Sequence, residues 1–172
     1  MRLSKITIIV TIILFVVLFL VGMRSYSSFF NLTLPKIDGV VYEADSAAGS
    51  FTMPLIYSLT IASIPVATIL LWKRANIHSA TKRVLVPLIL LVCIAITSLL
   101  RQYKLTTEIK KTAEITRSIN EQTNENTQTT ISLDKLDIEK YMLIGLFAGI
   151  IVVYFTMRPK TPAASNSFAK LG

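Results

Sequence analysis

Residues 6–23 read ITIIVTIILFVVLFLVGM and contain no charged side chain. Crossing about 30 Å of hydrocarbon at about 1.5 Å per residue takes roughly 20 apolar residues in a helix. Three more uncharged blocks follow at 54–72, 84–100 and 141–157. Lipid admits only helices and closed barrels, and these blocks lack the alternation of barrel strands. The sequence therefore predicts an all-α membrane protein, a four-transmembrane-helix bundle that forms a single domain over residues 1–172.

The overall composition supports a membrane protein. Hydrophobic residues make up 52% of the chain and charged residues 16%, and the mean hydropathy is +0.59. A soluble domain carries about 25% charged residues. The net charge of +8 would suggest nucleic acid if it formed a patch on a soluble surface. In a membrane protein, however, lysine and arginine gather on the cytoplasmic side. We therefore predict the lipid bilayer as the main partner, and no nucleic acid.

The distribution of charge predicts the orientation. Segments 1–5, 73–83 and the tail from 158 contain nine bases and no acid, whereas every acid lies in 24–53 or 101–140. The topology rule counts bases in short connections, so the basic 73–83 loop decides, although 101–140 carries seven bases of its own. We expect both termini in the cytoplasm (N-in/C-in) of a plasma (inner) membrane. The first span is too long for a signal-peptide core and no A-x-A cleavage site follows it, so we expect it to be retained.

The first external segment, 24–53, carries a turn signal. Asp38-Gly39 between apolar residues is typical of a β-hairpin. The hairpin would pair residues 32–34 or Ile37 with 40–42. Residues 46–50 are small and predict a flexible link to a second span that begins at Pro54, a residue suited to a first helical turn.

The second external segment, 101–140, has helical periodicity in its first half. The apolar residues recur at Leu105, Ile109, Ala113 or Ile115, and Ile119. We expect the third helix to continue to about residue 119, followed by a polar loop tip at 120–130. Ser132 or Asp134 would cap a second helical arm that leads into span 4. The prediction is an external helical hairpin extension between spans 3 and 4. The alternative is a solvated connector with helical ends.

Two features of the spans predict helix packing. Gly145 and Gly149 form a GxxxG motif, in which small residues let helix backbones approach closely. We expect it to pack the fourth helix inside the protein, and homodimerisation is the alternative. Pro65 lies near the middle of the second span and should kink or loosen that helix.

Hydroxyl side chains are concentrated in the second span, with a smaller patch in the third. They either line a polar path or mark helices that the protein encloses. The candidate residues are Tyr57, Ser58, Ser63, Thr68, Thr97 and Ser98.

The sequence carries no recognisable catalytic or cofactor motif. The only histidine, His78, has no second histidine or nearby acid, and the single Cys93 excludes an intramolecular disulfide. There is no GxSxG, HExxH, Walker lysine or GxGxxG. The spans contain no ionisable residue for proton transport. We therefore expect no catalytic residue, metal or cofactor.

These observations favour a non-enzymatic accessory or interaction subunit that acts through its external loops. Its partner would be a membrane protein or a second copy in a homo-oligomer. One alternative is a small pore or carrier with a polar path along spans 2 and 3. Another is a membrane-embedded enzyme that uses loop carboxylates, namely Asp38, Glu43 and Asp45.

Overall fold

The protein folds into four long helices and one small sheet. The computed structural model describes residues 5–43, 47–74, 77, 79–123, 128–133 and 136–157. The elements are α1 (Lys5–Thr33), β1 (Val40–Glu43), α2 (Ala47–Arg74), α3 (Ala80–Thr123), β2 (Thr129–Ser132) and α4 (Ile138–Met157). All four helices are long and apolar enough to cross a membrane, and each contains one predicted block. The prediction of a helical protein with four such helices is confirmed.

The helices pack in the order α1, α2, α4, α3. The core between them is built from side chains such as Leu71, Val86, Leu90, Leu146 and Val153. α1 is peripheral, because most of its large apolar side chains are exposed on the outside of the bundle. That pattern suits a helix whose surroundings are lipid, where apolar side chains need no protein cover.

Glycines set the closest helix approaches. A Cβ placed on Gly22 of α1 would lie 2.9 Å from the Cα of Ser58 on α2. A Cβ on Gly145 of α4 would lie 2.7 Å from the Cα of Ile94 on α3, and one on Gly149 would lie 3.2 Å from the Cα of Leu90. Both glycines of the GxxxG motif therefore face α3 within the same chain.

The turn between α2 and α3 is held by backbone and side-chain hydrogen bonds. The Trp72 indole N–H donates to the carbonyl of Arg83 at 3.0 Å. The Arg83 Nε donates to the carbonyl of Ile77 at 3.1 Å, and the Ile77 amide donates to the carbonyl of Trp72 at 2.9 Å. These three hydrogen bonds join the end of α2 to the start of α3 at this end of the bundle.

At the opposite end, a small head extends the bundle. α3 is 44 residues long, about 66 Å at 1.5 Å per residue and roughly twice the hydrocarbon thickness. Its polar half packs against the chain around β1 and β2. We call the described residues 29–43, 101–123, 128–133 and 136–139 the head. Its core consists of Leu105, Ile109, Leu136 and Ile138.

The two strands of the head pair in parallel, which corrects the predicted hairpin. Val40 lies opposite Thr129, and Glu43 opposite Ser132. The proposed first arm at 32–34 instead lies at the end of α1, where the Leu34 amide still donates to the carbonyl of Phe30. The alternative with Ile37 is met only by the turn itself, in which the Val40 amide donates to the carbonyl of Ile37 at 3.3 Å, and among the described residues no strand forms before Gly39. Gly39, with φ of 78°, supplies the turn. That turn directs the chain into β1, whose partner comes from the distant 128–133 segment.

The second arm of the predicted helical hairpin is also different. α3 continues past residue 119 as expected, but residues 129–132 form β2 instead of a helix or a loop tip. Thr129, Thr130 and Ile131 are β-branched and suit a strand. α4 begins only after Asp137, whose carbonyl accepts hydrogen bonds from the amides of Lys140 and Tyr141. Asp137 has φ of 53°, and aspartate is one of the few residues that adopts this left-handed conformation readily.

The second helix begins earlier than predicted. α2 begins at Ala47, so residues 47–50 are helical and Pro54 lies inside the helix. Alanine has the highest intrinsic helix propensity, which favours this earlier start. Some of the residues and segments singled out in the sequence lie outside the described residues, namely residues 1–4, Asp45, residue 46, His78, residues 124–127 of the predicted loop tip, Asp134 and the tail from 158.

Candidate functional site

The base of the head contains a buried carboxylate. Glu139, in the first turn of α4, is only 2% exposed, and its Oε1 accepts a hydrogen bond of 2.6 Å from the Tyr26 hydroxyl of α1. The Tyr26 ring lies edge-on to Tyr57 of α2 at 5.6 Å, and Phe29 stacks on Tyr57 at 4.6 Å. A buried carboxylate is costly unless it is hydrogen-bonded. The tyrosine therefore provides the contact that allows an acid to lie where α1, α2 and α4 meet.

Glu139 was not among the residues predicted to form a site, because in the sequence it is one of several acids in the 101–140 segment. A signal was present in the spacing of the buried face of α4. Met142, Leu146, Gly149 and Val153 are buried along this helix at intervals of three or four residues. One turn earlier, the same stripe passes through Glu139. Extending the periodicity backwards from the apolar block would have predicted a buried acid.

Arg101 and Gln102 connect α3 to the ends of its neighbours. The Arg101 Nε donates to the carbonyl of Leu136 at 3.0 Å, and its guanidinium lies 5.4 Å from the centre of the Tyr141 ring. The Gln102 side-chain amide donates to the carbonyl of Thr33 at 3.2 Å. Thr33 is the last residue of α1 and Leu136 precedes α4, so neither carbonyl has a backbone donor within those helices. The head is therefore fixed to the bundle by directed hydrogen bonds as well as apolar contact.

Tyr42 closes the loop that precedes β1. Its hydroxyl donates to the carbonyl of Pro35 at 2.6 Å. Burial raises the pKa of Tyr42 above its ordinary value near 10. The phenol is therefore neutral at physiological pH and keeps the proton that it donates. This contact stabilises the path of residues 35–42 around Gly39.

Two clefts open on the head. One, of about 490 Å³, lies beside β1 and is lined by residues that include Leu34, Pro35, Val40 and Tyr42. The other, of about 660 Å³, lies between the 37–39 turn, the start of β2 and the charged face of α3 that carries Lys110 and Arg117. Asp38 lines both clefts. Both volumes lie in the range of small-molecule and peptide sites.

The hydroxyl residues proposed as a polar path lie at different helix interfaces. Ser58 lies against Gly22 on α1, whereas Thr97 lies against Gly145 on α4. The hydroxyls of Ser58, Thr68 and Ser98 each donate to a carbonyl one turn earlier in their own helix. Such bonds satisfy a hydroxyl without any ligand. Ser63 and Pro65 are half-buried in α2, and the polar path stays a prediction.

Two of the three loop carboxylates proposed for an enzyme lie at opposite ends of β1. Asp38 lies in the turn before β1 and Glu43 at the end of that strand, and both are exposed. Among the described residues, no group of three or more His, Cys, Asp or Glu side chains is placed to hold a metal ion.

Known proteins give no guide to the activity of the head. Comparison of the chain with protein-family models, curated proteins and solved structures finds no match. The assignment of a function therefore depends on the geometry of the head itself.

Proposed function

We propose that this protein is a non-enzymatic accessory subunit of a membrane complex, and that its head binds the partner. One observation carries the proposal. The two segments that connect the spans fold against each other and against an extended α3, with a shared apolar core at Leu105, Ile109, Leu136 and Ile138. Connectors that only join helices need no core of their own. A compact module outside the apolar bundle is typical of a recognition surface.

The proposal includes an orientation. The head would lie on the external face of a plasma (inner) membrane, and both termini would lie in the cytoplasm. The bases of the 73–83 loop support this arrangement, because they lie at the end of the bundle opposite the head. The partner would then be another membrane protein whose external part meets the head.

Photo-crosslinking in intact cells tests the proposal. A photoreactive amino acid would replace Ile115 or Thr130, both exposed on the head. The matched control carries it at Ile151, which is exposed on the apolar surface of α4. We expect one discrete adduct from the head positions and none from Ile151, because the partner meets the head. Adducts only from Ile151, or solute transport by the pure protein in liposomes, would contradict the proposal.

A further inference from the structure

We propose that the outer edge of β1 binds an extended segment of the partner protein, which adds a third strand to the sheet. The segment would have apolar side chains in its middle and basic residues at its ends. This inference rests on the proposed function and names the surface that would carry it.

The pairing register leaves one edge of β1 open. The Thr129 amide donates to the carbonyl of Gly39 at 3.1 Å, and Thr129 lies opposite Val40. In a parallel ladder, backbone groups point alternately towards and away from the neighbouring strand. Val41 and Glu43 therefore face β2, whereas Val40 and Tyr42 face outwards. The Val40 amide bonds to the carbonyl of Ile37 at 3.3 Å.

The remaining outward groups are the Tyr42 amide and the carbonyls of Val40 and Tyr42. Within the described part of the chain, these three groups have no backbone partner. An added strand could satisfy all three.

The middle of β1 carries neither proline nor charge, although the strand is only four residues long and ends in the exposed Glu43. Natural edge strands discourage pairing with proline, lysine or inward charges. The sequence Val40-Val41-Tyr42 contains none of these and consists of residues that favour strands. Its edge is thus suited to pairing with another chain.

The cleft of about 490 Å³ provides a place for side chains of the added strand. Val40 and Tyr42, whose backbone groups point to the outer edge, also line this cleft together with Leu34, Pro35 and Ile37. In strand addition, main-chain hydrogen bonds supply affinity and such pockets select alternate side chains. The lining favours an aliphatic side chain near the middle of the incoming segment.

The charges beside the edge favour a basic partner segment over a second copy of this chain. Asp38 and Glu43 are exposed and lie at the two ends of the outward edge, and Lys36 lies before the turn, outside the strand. If a second copy paired antiparallel through Val40 and Tyr42, Glu43 would lie opposite Gly39 of the second copy, next to the acidic Asp38 of the second copy. Two acidic side chains at neighbouring cross-strand positions disfavour such a pair. A strand with lysine or arginine at its ends has the complementary charge.

Amide hydrogen exchange on the full-length protein in detergent micelles tests the inference. The probe is a seven-residue peptide with lysine at both ends and alternating valine and threonine between them. We expect a saturating amount of peptide to slow exchange of the Tyr42 amide by roughly tenfold or more, because the amide becomes a ladder donor. The Thr130 amide, on β2, should not change. A peptide with glutamate in place of lysine should protect Tyr42 less.

Two substitutions at one position separate the backbone from the side chain. Tyr42→Pro removes the outward donor, and Tyr42→Val removes the phenol but keeps the amide. We expect Tyr42→Pro to weaken peptide binding by roughly tenfold, and Tyr42→Val by roughly threefold or less. Circular dichroism and thermal melting show whether each variant is folded, and Tyr42→Val keeps the test usable if Tyr42→Pro unfolds the head.

Three outcomes would overturn the inference. They are an unchanged Tyr42 exchange rate at millimolar peptide, equal binding by the proline and valine variants, and concentration-dependent protection of Tyr42 without peptide. The last would identify a second copy as the occupant. The proposed function fails separately, since it requires adducts from Ile115 or Thr130 whether or not the β1 edge is used.

Discussion

At the scale of single residues, the Tyr26–Glu139 hydrogen bond carries the most consequence. It joins α1 to α4 at a point where the carboxylate is almost fully buried. Removing one partner from such a pair costs more than removing both, because the remaining polar group is left buried without its hydrogen bond. The free energies of unfolding of single and double variants should therefore differ in a way that identifies this hydrogen bond.

We expect Tyr26→Phe to lower the free energy of unfolding by about 1–3 kcal/mol. Glu139→Gln should cost less, because the amide oxygen still accepts the tyrosine proton. The double variant Tyr26→Phe/Glu139→Met should be more stable than the sum of the effects of Tyr26→Phe alone and Glu139→Met alone predicts. Chemical unfolding in detergent, followed by circular dichroism, measures all of these. Additive single and double effects would show that the bond contributes nothing specific.

The glycines of α4 allow a graded comparison. A Cβ at Gly145 meets the backbone of α3, whereas at Gly149 the nearest atom is the Leu90 Cδ2, at 3.0 Å on a flexible side chain. We expect Gly145→Ala to destabilise the bundle by about 1–3 kcal/mol through overpacking, and Gly149→Ala by less. Melting temperatures of the two variants in the same detergent show which substitution is more destabilising. The reverse order would mean that α4 does not pack on α3 as described.

At the scale of elements, the long α3 performs two tasks with one continuous helix. Its first half is apolar and packs on α4, and its second half supplies one wall of the head core. The faces of that second half differ sharply. Ile109 is 3% exposed, whereas Ile115, on the same helix, is 60% exposed.

Ile109→Ala and Ile115→Ala make a matched pair that tests the head core. We expect Ile109→Ala to destabilise the head by about 2–5 kcal/mol, because it leaves a cavity. Ile115→Ala should change stability by about 0.5 kcal/mol or less. The rate of hydrogen exchange at the β2 amides measures the change in stability of the head. Equal acceleration in both variants would mean that Ile109 does not lie in a core.

The sequence predicted the elements better than their ends and partners. The apolar blocks were visible because hydrocarbon demands long uncharged helices. The helical half of 101–140 was visible through the spacing of Leu105 and Ile109. The strand at residues 40–42 was also visible, but its partner β2 was not, because their pairing joins segments far apart in the chain and leaves no local pattern. Glu139 was missed because an acid beside a span looks solvated until the buried face is traced through it.

At the scale of the whole molecule, the arrangement of the helices places the head at one end of the bundle. The basic 73–83 connection lies at the other end, with the described limits of the chain, Lys5 and Met157. The two ends therefore differ in both shape and charge. A membrane would place them in different compartments.

Thiol labelling in a Cys93→Ala background tests the orientation. Single cysteines would replace Glu121 on the head and Ser79 at the opposite end, both of which are exposed. If the head is external, a membrane-impermeant maleimide should label Glu121→Cys in intact cells, and Ser79→Cys only after permeabilisation. The opposite pattern would place both termini outside.

The parallel pairing of β1 with β2 also bears on how the chain is made. The two strands lie about ninety residues apart in sequence, so the pair is a contact of high order that forms late. A ribosome releases β1 well before α3, and β2 follows only after α3 is complete. Throughout that interval both edges of β1 have no partner strand, and unpaired strand edges make a folding chain prone to aggregation. The head is then the last part of the molecule to mature, and a chain truncated before residue 129 would carry four exposed strand residues with no native partner.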